Sequence, residues 1–393
     1  MPDSLSPTAN SAPLALTRAL LQYNTINPPG MEEACAQHLG KLLANAGFDV
    51  RYHAFQPGRT SVIATIGGRQ EKPPICFTGH LDIVPLGAKA WAHDPFAGEA
   101  DGDKLFGRGS TDMKSGIAAF VVAAMRLAPH LHDKPGVTLV LTASEEVGCE
   151  GAKYLVQEGL LDRAGAIVVA EPTANYPYVG HKGLIWVEIE TTGKTAHASM
   201  PEQGENAILK MARVIEDLSR FDWKHHCGID CHHVMGKPTM NIATVHGGLN
   251  TNSVPDQVKL TVDMRTVPGI DHNTLCDAID RIVEGRGRLR RIVETPPLFS
   301  EPDEWIESVF AAASPFCDRT PSTKTPETIM FSTDGADLKR GYVASSKNGA
   351  VPTVILGPGE PTLAHQTDEW CSLTRLDQSV EVFERIMREW NGL

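Results

Sequence analysis

The chain has no apolar run of bilayer-spanning length, so no stretch of it reads as a transmembrane helix. It has no basic excess either: 36 Lys and Arg stand against 48 Asp and Glu, a formal net charge of -12. That balance argues against nucleic acid or an anionic membrane as partner, and leaves the charge of a small substrate to be set locally. Internal repeats and low-complexity tracts are absent. No Gly-Lys-Ser/Thr follows the Gly-rich turns, which removes a nucleotide-phosphate cradle of the P-loop type. The eight cysteines are scattered, several of them in apolar stretches. This usage is expected of reduced, buried thiols in a cytoplasmic protein. Met1 to Pro13 is rich in Ser, Pro and Asn and lacks the basic-then-apolar pattern of a secretion signal, so a flexible leader is expected there.

What is present is an ordinary globular composition, 41% hydrophobic and 21% charged, in 393 residues, enough for two or more domains. Helical spacing over Met31–Ala46 is followed by strand patterns at Phe48–Phe55, Ser61–Ile66 and Pro74–Phe77. Helix Met113–Leu127, strand Val137–Ala143, helix Gly151–Glu158 and strand Ala166–Ala170 come next, an α/β alternation around a largely buried sheet. Near Gly180 the rhythm changes to strand 184–192, helix 205–219, strands 240–246 and 256–267, helix 271–284 and strand 289–294. That βαββαβ order is the ferredoxin-like arrangement. After Pro296-Pro297 the α/β character returns, with helix 303–313, strand Thr353–Leu356 and helix 375–390, for which Thr374 and Asp377 offer a cap. The expected organisation is a domain begun by residues 1–179, interrupted by 180–294 and completed by 295–393.

Five chemistry-bearing positions follow apolar strands or lie in Gly-rich loops. Thr78-Gly79-His80-Leu81-Asp82 ends a strand, and residues two apart on a strand share a side, so Asp82 can steady the His80 ring. Gly107-Arg108-Gly109-Ser110-Thr111-Asp112 ends in a carboxylate that would repel phosphate and suits a cation; a helix cap is the alternative for Asp112. Glu145 and Glu146 follow Val137–Ala143, and adjacent buried carboxylates need a proton or cation between them. Glu171, before Pro172, sits at the carboxyl edge of its strand, where open α/β sheets bind ligands. His365 follows the turn Gly357-Pro358-Gly359. His225-His226-Cys227 with Cys231-His232-His233 is a second concentration of imidazoles and thiols, read as a polar loop with adventitious metal as the alternative.

Across nearly the whole chain, GHLDIVP, GRGSTDMKSG, TASEEVG, the AEP turn, GKTAHASMPEQGENAI, GGLNTNSVPDQVKLTVDMR, STDGADL and ILGPGEPTLAHQTDEW resemble the M20 metallopeptidase family. The likeness is to its acetylornithine deacetylase and succinyl-diaminopimelate desuccinylase branch. The resemblance implies a zinc-exopeptidase-like catalytic domain, a mixed sheet flanked by helices, with an inserted ferredoxin-like βαββαβ dimerisation (lid) domain. It implies two zinc ions per subunit, replaceable by cobalt or manganese, one on His80, Asp112 and Glu171 and the other on Asp112, Glu146 and His365. Glu145 becomes the general base, Asp82 the support of His80, and His197 the stabiliser of the oxyanion from a partner subunit of a homodimer. Arg265, Asn252, Gly357 and Ser332 become substrate contacts. The expected activity is a cytoplasmic amidohydrolase that cleaves linear amide C–N bonds in a small N-acyl amino acid. Acetylornithine is the first candidate, succinyl-diaminopimelate the second, and another amide or dipeptide the third. A non-catalytic α/β ligand-binding protein is the alternative of a different class.

Overall fold

The computed structural model describes residues 11–68, 71–345 and 351–393, without side chains at 344–345. The chain divides into two compact units, one of residues 1–180, 299–327 and 333–393, the other of 181–298 and 328–332.

The first unit begins with helices α1 (Ala12–Leu21) and α2 (Glu33–Asn45). Its strands are β1 (Asp49–Gln56), β2 (Arg59–Ile66) and β3 (Ile75–His80). Helix α3 (Ser115–Leu127), strand β4 (Val137–Thr142), helix α4 (Glu150–Gln157) and strand β5 (Ala166–Val169) follow. The six-stranded sheet is mixed, with β1 and β2 antiparallel at one side and β4, β3 and β5 parallel. Chain return supplies the sixth strand, Thr353–Ile355, parallel to β5 at the far edge.

Alternation along these strands serves both faces. Phe77, Leu139, Leu141 and Val168 enter one core with Ile117 and Phe120 of α3 and with Phe383 of the C-terminal helix. Cys76, one residue out of phase, meets the Tyr342 hydroxyl on the other face. The sheet is therefore covered on both sides, which is why β3, β4 and β5 are buried at every position. Register matters most at the carboxyl end: His80 lies opposite Thr142, and Thr78 opposite Val169, so four parallel strands release their chains at one edge.

In the second unit β6 (Gly183–Thr192), α5 (Ala207–Ser219) and α6 (Trp223–Cys227) precede β7 (Thr239–Gly247). Then come β8 (Gln257–Thr266), α7 (His272–Val283) and β9 (Gly287–Thr295). The sheet is antiparallel throughout in the order β7-β8-β6-β9, the ferredoxin-like connectivity with one added helical turn. Ile185, Val187, Ile189, Val258, Leu260, Val262 and Met264 are buried on the face that α5 and α7 cover.

Three expectations need correction. Residues 1–10 of the supposed leader lie outside the described residues, but Ala12 and Pro13 open α1, whose Leu14, Leu16, Leu20 and Leu21 are buried. Proline is well tolerated in a first helical turn, so it starts this helix where it suggested a leader. Residues 225–227, the start of the expected 225–233 loop, belong to α6, which the Asp222 carboxylate caps. The last helix, α10 (Leu373–Asn391), is capped by Ser372, whose hydroxyl accepts the Arg375 amide, so Thr374 and Asp377 lie inside it. The expected 303–313 helix is α8 (Glu304–Ala313), while α1 and α9 (Gly335–Ser345) had no sequence counterpart. Among the described residues no helix is long and apolar enough to cross a membrane.

Candidate metal centre

His80 is the last residue of β3, almost fully buried, with its ring fixed by the chain just beyond it. Nδ1 lies 3.0 Å from the Asp82 carbonyl oxygen and 3.5 Å from its Oδ1. The backbone carbonyl is thus the nearer support, and Nε2 faces outward. The Asp82 carboxylate works mainly elsewhere: it accepts the Glu145 amide at 3.0 Å, the Glu146 amide at 3.2 Å and the Asn27 side chain at 2.8 Å. One buried carboxylate therefore sets the backbone that presents both glutamates.

Asp112 comes from the turn after Gly109, and its side chain caps no helix, since α3 starts without a side-chain cap. The turn is held by Glu369. One oxygen of this buried carboxylate accepts the amides of Gly109, Thr111 and Asp112 at 3.1, 2.8 and 3.0 Å, and the other pairs with the buried Arg108. Burial pushes the Glu369 carboxyl up to about 7. Sequence reasoning missed Glu369, because its partners are amides more than two hundred residues away and no spacing rule links them.

Glu171 follows β5, pinned by a close approach of Gly357. A Cβ on Gly357 would stand 2.3 Å from the Ala170 oxygen and 2.5 Å from the Glu171 oxygen. Gly357 thus shapes the turn with its backbone. His365 has a left-handed φ of 64° and carries its half-exposed ring toward the carboxylates.

These elements bring together two groups of three donors sharing one residue: His80, Asp112 and Glu171, and Asp112, Glu146 and His365. Within each group the ligand atoms lie within 4.8 Å of one another. His80 Nε2 is 3.1 Å from Asp112 Oδ1 and 4.0 Å from Glu171 Oε1. His365 Nε2 is 3.4 Å from Asp112 Oδ2 and 3.2 Å from Glu146 Oε2. A tetrahedral zinc with ligands near 2.0–2.2 Å separates them by about 3.4 Å, so the spacing fits. Asp112 offers a different oxygen to each group, the geometry of a bridging carboxylate. Glu146 Oε1 is buried without a hydrogen-bond partner, as a group awaiting a cation would be.

The electrostatics point the same way. Burial first, then Asp112, drives the Glu171 carboxyl well above its ordinary value, and burial also raises Glu146. Burial opposes the charge on His80, yet Asp112, Asp82 and Glu171 raise its pKa well above normal. Asp112 and Glu146 lift His365 to about 10. Burial works against the Asp112 charge, but His365 and His80 hold its carboxyl far below the usual range. Such a set keeps protons that a dication would displace.

Glu145 belongs to neither group. Its amide is held by Asp82, and the Cys149 thiol reaches its Oε1 at 3.6 Å. Burial foremost, with Asp334, Glu146 and Asp82 nearby, drives its carboxyl well above the ordinary value. Asp334, also missed from sequence, is buried with Oδ2 bound to the Thr142 hydroxyl and is raised by burial to about 7.

The remaining expected contacts lie in the second unit. Ala198 donates its amide to the Asn252 carbonyl, and His197 bridges Ser253, so His197 and Asn252 share one exposed loop pair. Arg265 stands on β8. Ser332, half-buried, belongs to the short 328–332 segment of that unit. Among the described residues, no three side chains of the 225–233 cluster converge as metal ligands.

Comparison with known proteins places these features. The model of peptidase family M20/M25/M40 matches residues 76–389. A probable succinyl-diaminopimelate desuccinylase of Staphylococcus aureus strain Mu50 is 29% identical over 357 residues, covering 84% of this chain and 87% of the relative. An acetylornithine deacetylase of Vibrio campbellii is 27% identical over 372 residues, covering 91% and 93%. Among solved structures, an M20 family metallo-carboxypeptidase from Sulfolobus solfataricus aligns with a TM-score of 0.75 at 18% identity, covering 98% of this chain and all of that one. The last likeness is one of fold.

Proposed function

This chain belongs to peptidase family M20/M25/M40, and from that premise we propose that it is a dinuclear metal amidohydrolase removing the acyl group of an N-acyl amino acid or diamino acid. The observation that carries the reading is the pair of donor triads sharing Asp112, with Glu145 beside them. His80, Asp112 and Glu171 would hold one zinc ion and Asp112, Glu146 and His365 the second, with cobalt or manganese able to substitute. When bound, such ions polarise a substrate carbonyl and lower the pKa of water to roughly 7.

The chain's own groups supply the rest. Glu145 takes a proton from the water that adds to the amide carbonyl, then delivers it to the departing nitrogen as the C–N bond breaks. Asp82 keeps Glu145 and Glu146 in register by holding both amides. His197 donates to the oxyanion of the tetrahedral adduct. Its Nδ1 accepts the Ser199 amide, a pattern that leaves the proton on Nε2, where a donor is needed. Asn252 and Arg265 contact the substrate, Arg265 through the planar fork suited to a carboxylate. Gly357 and Ser332 are assigned to the substrate as well.

Acetylornithine is the first substrate to test, because the segments Asp263–Gly269 and Leu356–Gly359 with Ala364-His365-Gln366 are closer to that branch. The 29% identity to a probable desuccinylase favours succinyl-diaminopimelate as the second. Turnover of both, with a panel of other N-acyl amino acids and dipeptides, is measured with added zinc or cobalt. The expected result is metal-dependent release of a free amine from at least one N-acyl amino acid. Activity on dipeptides alone would reject the deacylase reading.

We place His197 in a partner's site, and the second unit offers a surface for pairing. Ile208 and Leu209 on α5, Val245 on the edge strand β7, and Leu249 after it are exposed. Mixing inactive Glu145→Gln subunits with inactive His197→Ala subunits is expected to restore up to about a quarter of wild-type activity, through hybrid dimers with one intact site. No recovery in hybrids demonstrated by mass spectrometry would place His197 and Glu145 in the same subunit's site.

A further inference from the structure

The sheet of the second unit has one face under its helices and one face without them. Trp186, Asp263 and Arg265 alternate out of phase with the buried Ile185, Val187, Val262 and Met264, so they stand on that open face. Trp186 pairs directly with Asp263 across β6 and β8, and Arg265 lies two residues further along the same strand. Arg265 Nε donates to Asp263 Oδ1 at 2.8 Å and its Nη2 to Oδ2 at 3.0 Å. The Trp186 indole N–H donates to the same Oδ2 at 2.9 Å. The other cations on this face have simpler pairings: Arg290 and Lys259 share Glu188, and Arg288 binds Glu190.

We infer that Trp186 and Asp263 are positioning residues which lock Arg265 so that only its end-on edge is offered, making the site selective for a substrate carboxylate. The inference rests on the assignment of Arg265 to the substrate. A guanidinium has two bidentate edges, one formed by Nε and Nη2 and one by Nη1 and Nη2. Asp263 occupies the first completely. The second remains, with two parallel N–H groups matched to two coplanar oxygens. Because Asp263 neutralises much of the Arg265 charge, attraction at a distance is weakened, and recognition depends on the acceptor filling both hydrogen bonds. A carboxamide at the same place can accept only one and brings an N–H toward the other. The indole fixes Asp263 in turn, so the fork is ordered before substrate arrives and less freedom is lost on binding.

The test uses the metal-loaded full chain and N-acetyl-L-ornithine beside its α-carboxamide, or the best N-acyl amino acid of the panel with its carboxamide. Arg265→Ala is expected to raise KM for the acid about 100-fold, Asp263→Asn about tenfold and Trp186→Phe about threefold. For Asp263→Asn and Trp186→Phe the loss should fall on KM more than on kcat, because both act on the hold of the substrate carboxylate and neither touches the reacting carbonyl. The preference for acid over carboxamide should fall in the same order. Adding Asp263→Asn to Arg265→Ala should change nothing more, since the brace acts only through the arginine. Trp186→Phe keeps an aromatic ring and removes the N–H donor, so it tests the brace even where the Asp263 variant folds poorly, and thermal melting separates the two cases. If Arg265→Ala loses the acid preference while Asp263→Asn and Trp186→Phe keep it, the brace is overturned and the role of Arg265 stands. If Arg265→Ala keeps that preference, the assignment of Arg265 fails, and the brace with it.

Discussion

Glu145→Gln is expected to bind metal as the wild type does and to turn over substrate about a thousandfold more slowly. The prediction follows from where Glu145 is not. All five candidate ligands, His80, Asp112, Glu146, Glu171 and His365, lie in the two triads without it. Its position is set through its backbone, by the amide bonded to Asp82. An amide side chain has the same shape and cannot take up a proton, so the change removes one function and leaves the frame. The carboxyl of Glu145 is raised well above its ordinary value, first by burial, then by Asp334, Glu146 and Asp82 against the opposing pull of His80, as suits a group that accepts a proton. Metal content by mass spectrometry and kcat at saturating substrate check the two halves separately. Turnover near the wild-type rate would remove Glu145 as general base. Unchanged function without stoichiometric metal would favour the ligand-binding alternative instead.

The parts of this site that a reader of the sequence can find are those with a local cause. His80, Glu146 and Glu171 each follow an apolar run, and a buried parallel strand is recognisable from its composition. Their convergence follows from register: strands paired His80 to Thr142 and Thr78 to Val169 must release their next residues side by side. The βαββαβ order of the second unit was legible for a similar reason, since β8 alternates cleanly and α5 and α7 each bury one face. Asp112 and His365 are harder. They sit on irregular backbone, one beyond Gly109 and one at a left-handed position, and only the long motifs around them resemble a known family.

What sequence periodicity hid is the layer that holds the ligands. Glu369 supports the Asp112 turn, Asp82 supports two glutamates, and Gly357 supports Glu171, all through backbone groups distant in sequence. Asp334 gives no signal either, because it precedes α9, a helix whose sequence alternates too weakly to be recognised. Residues 225–227 fail differently: local propensity and an Asp222 cap drew into a short helix a stretch that looked like loop.

The second large effect is expected at Asp112. Asp112→Ala should lower bound metal from about two ions per chain to well below one, and activity by at least about a thousandfold. His365→Ala should lose only one ion. The contrast arises because Asp112 belongs to both triads, with Oδ1 approaching His80 and Oδ2 approaching His365, whereas His365 belongs to one triad alone. Removing Asp112 also leaves each triad with two donors, His80 with Glu171 and Glu146 with His365, so each half-site is one carboxylate short of a set suited to a dication. The chain should still fold. Glu369 holds the 109–112 turn through backbone amides that an alanine retains, and Arg108 stays paired. Circular dichroism and thermal melting of the metal-free proteins should therefore match. Two ions bound to the Asp112→Ala protein would show that the carboxylate does not bridge, and equal losses in the Asp112 and His365 variants would show that the two sites fill only together.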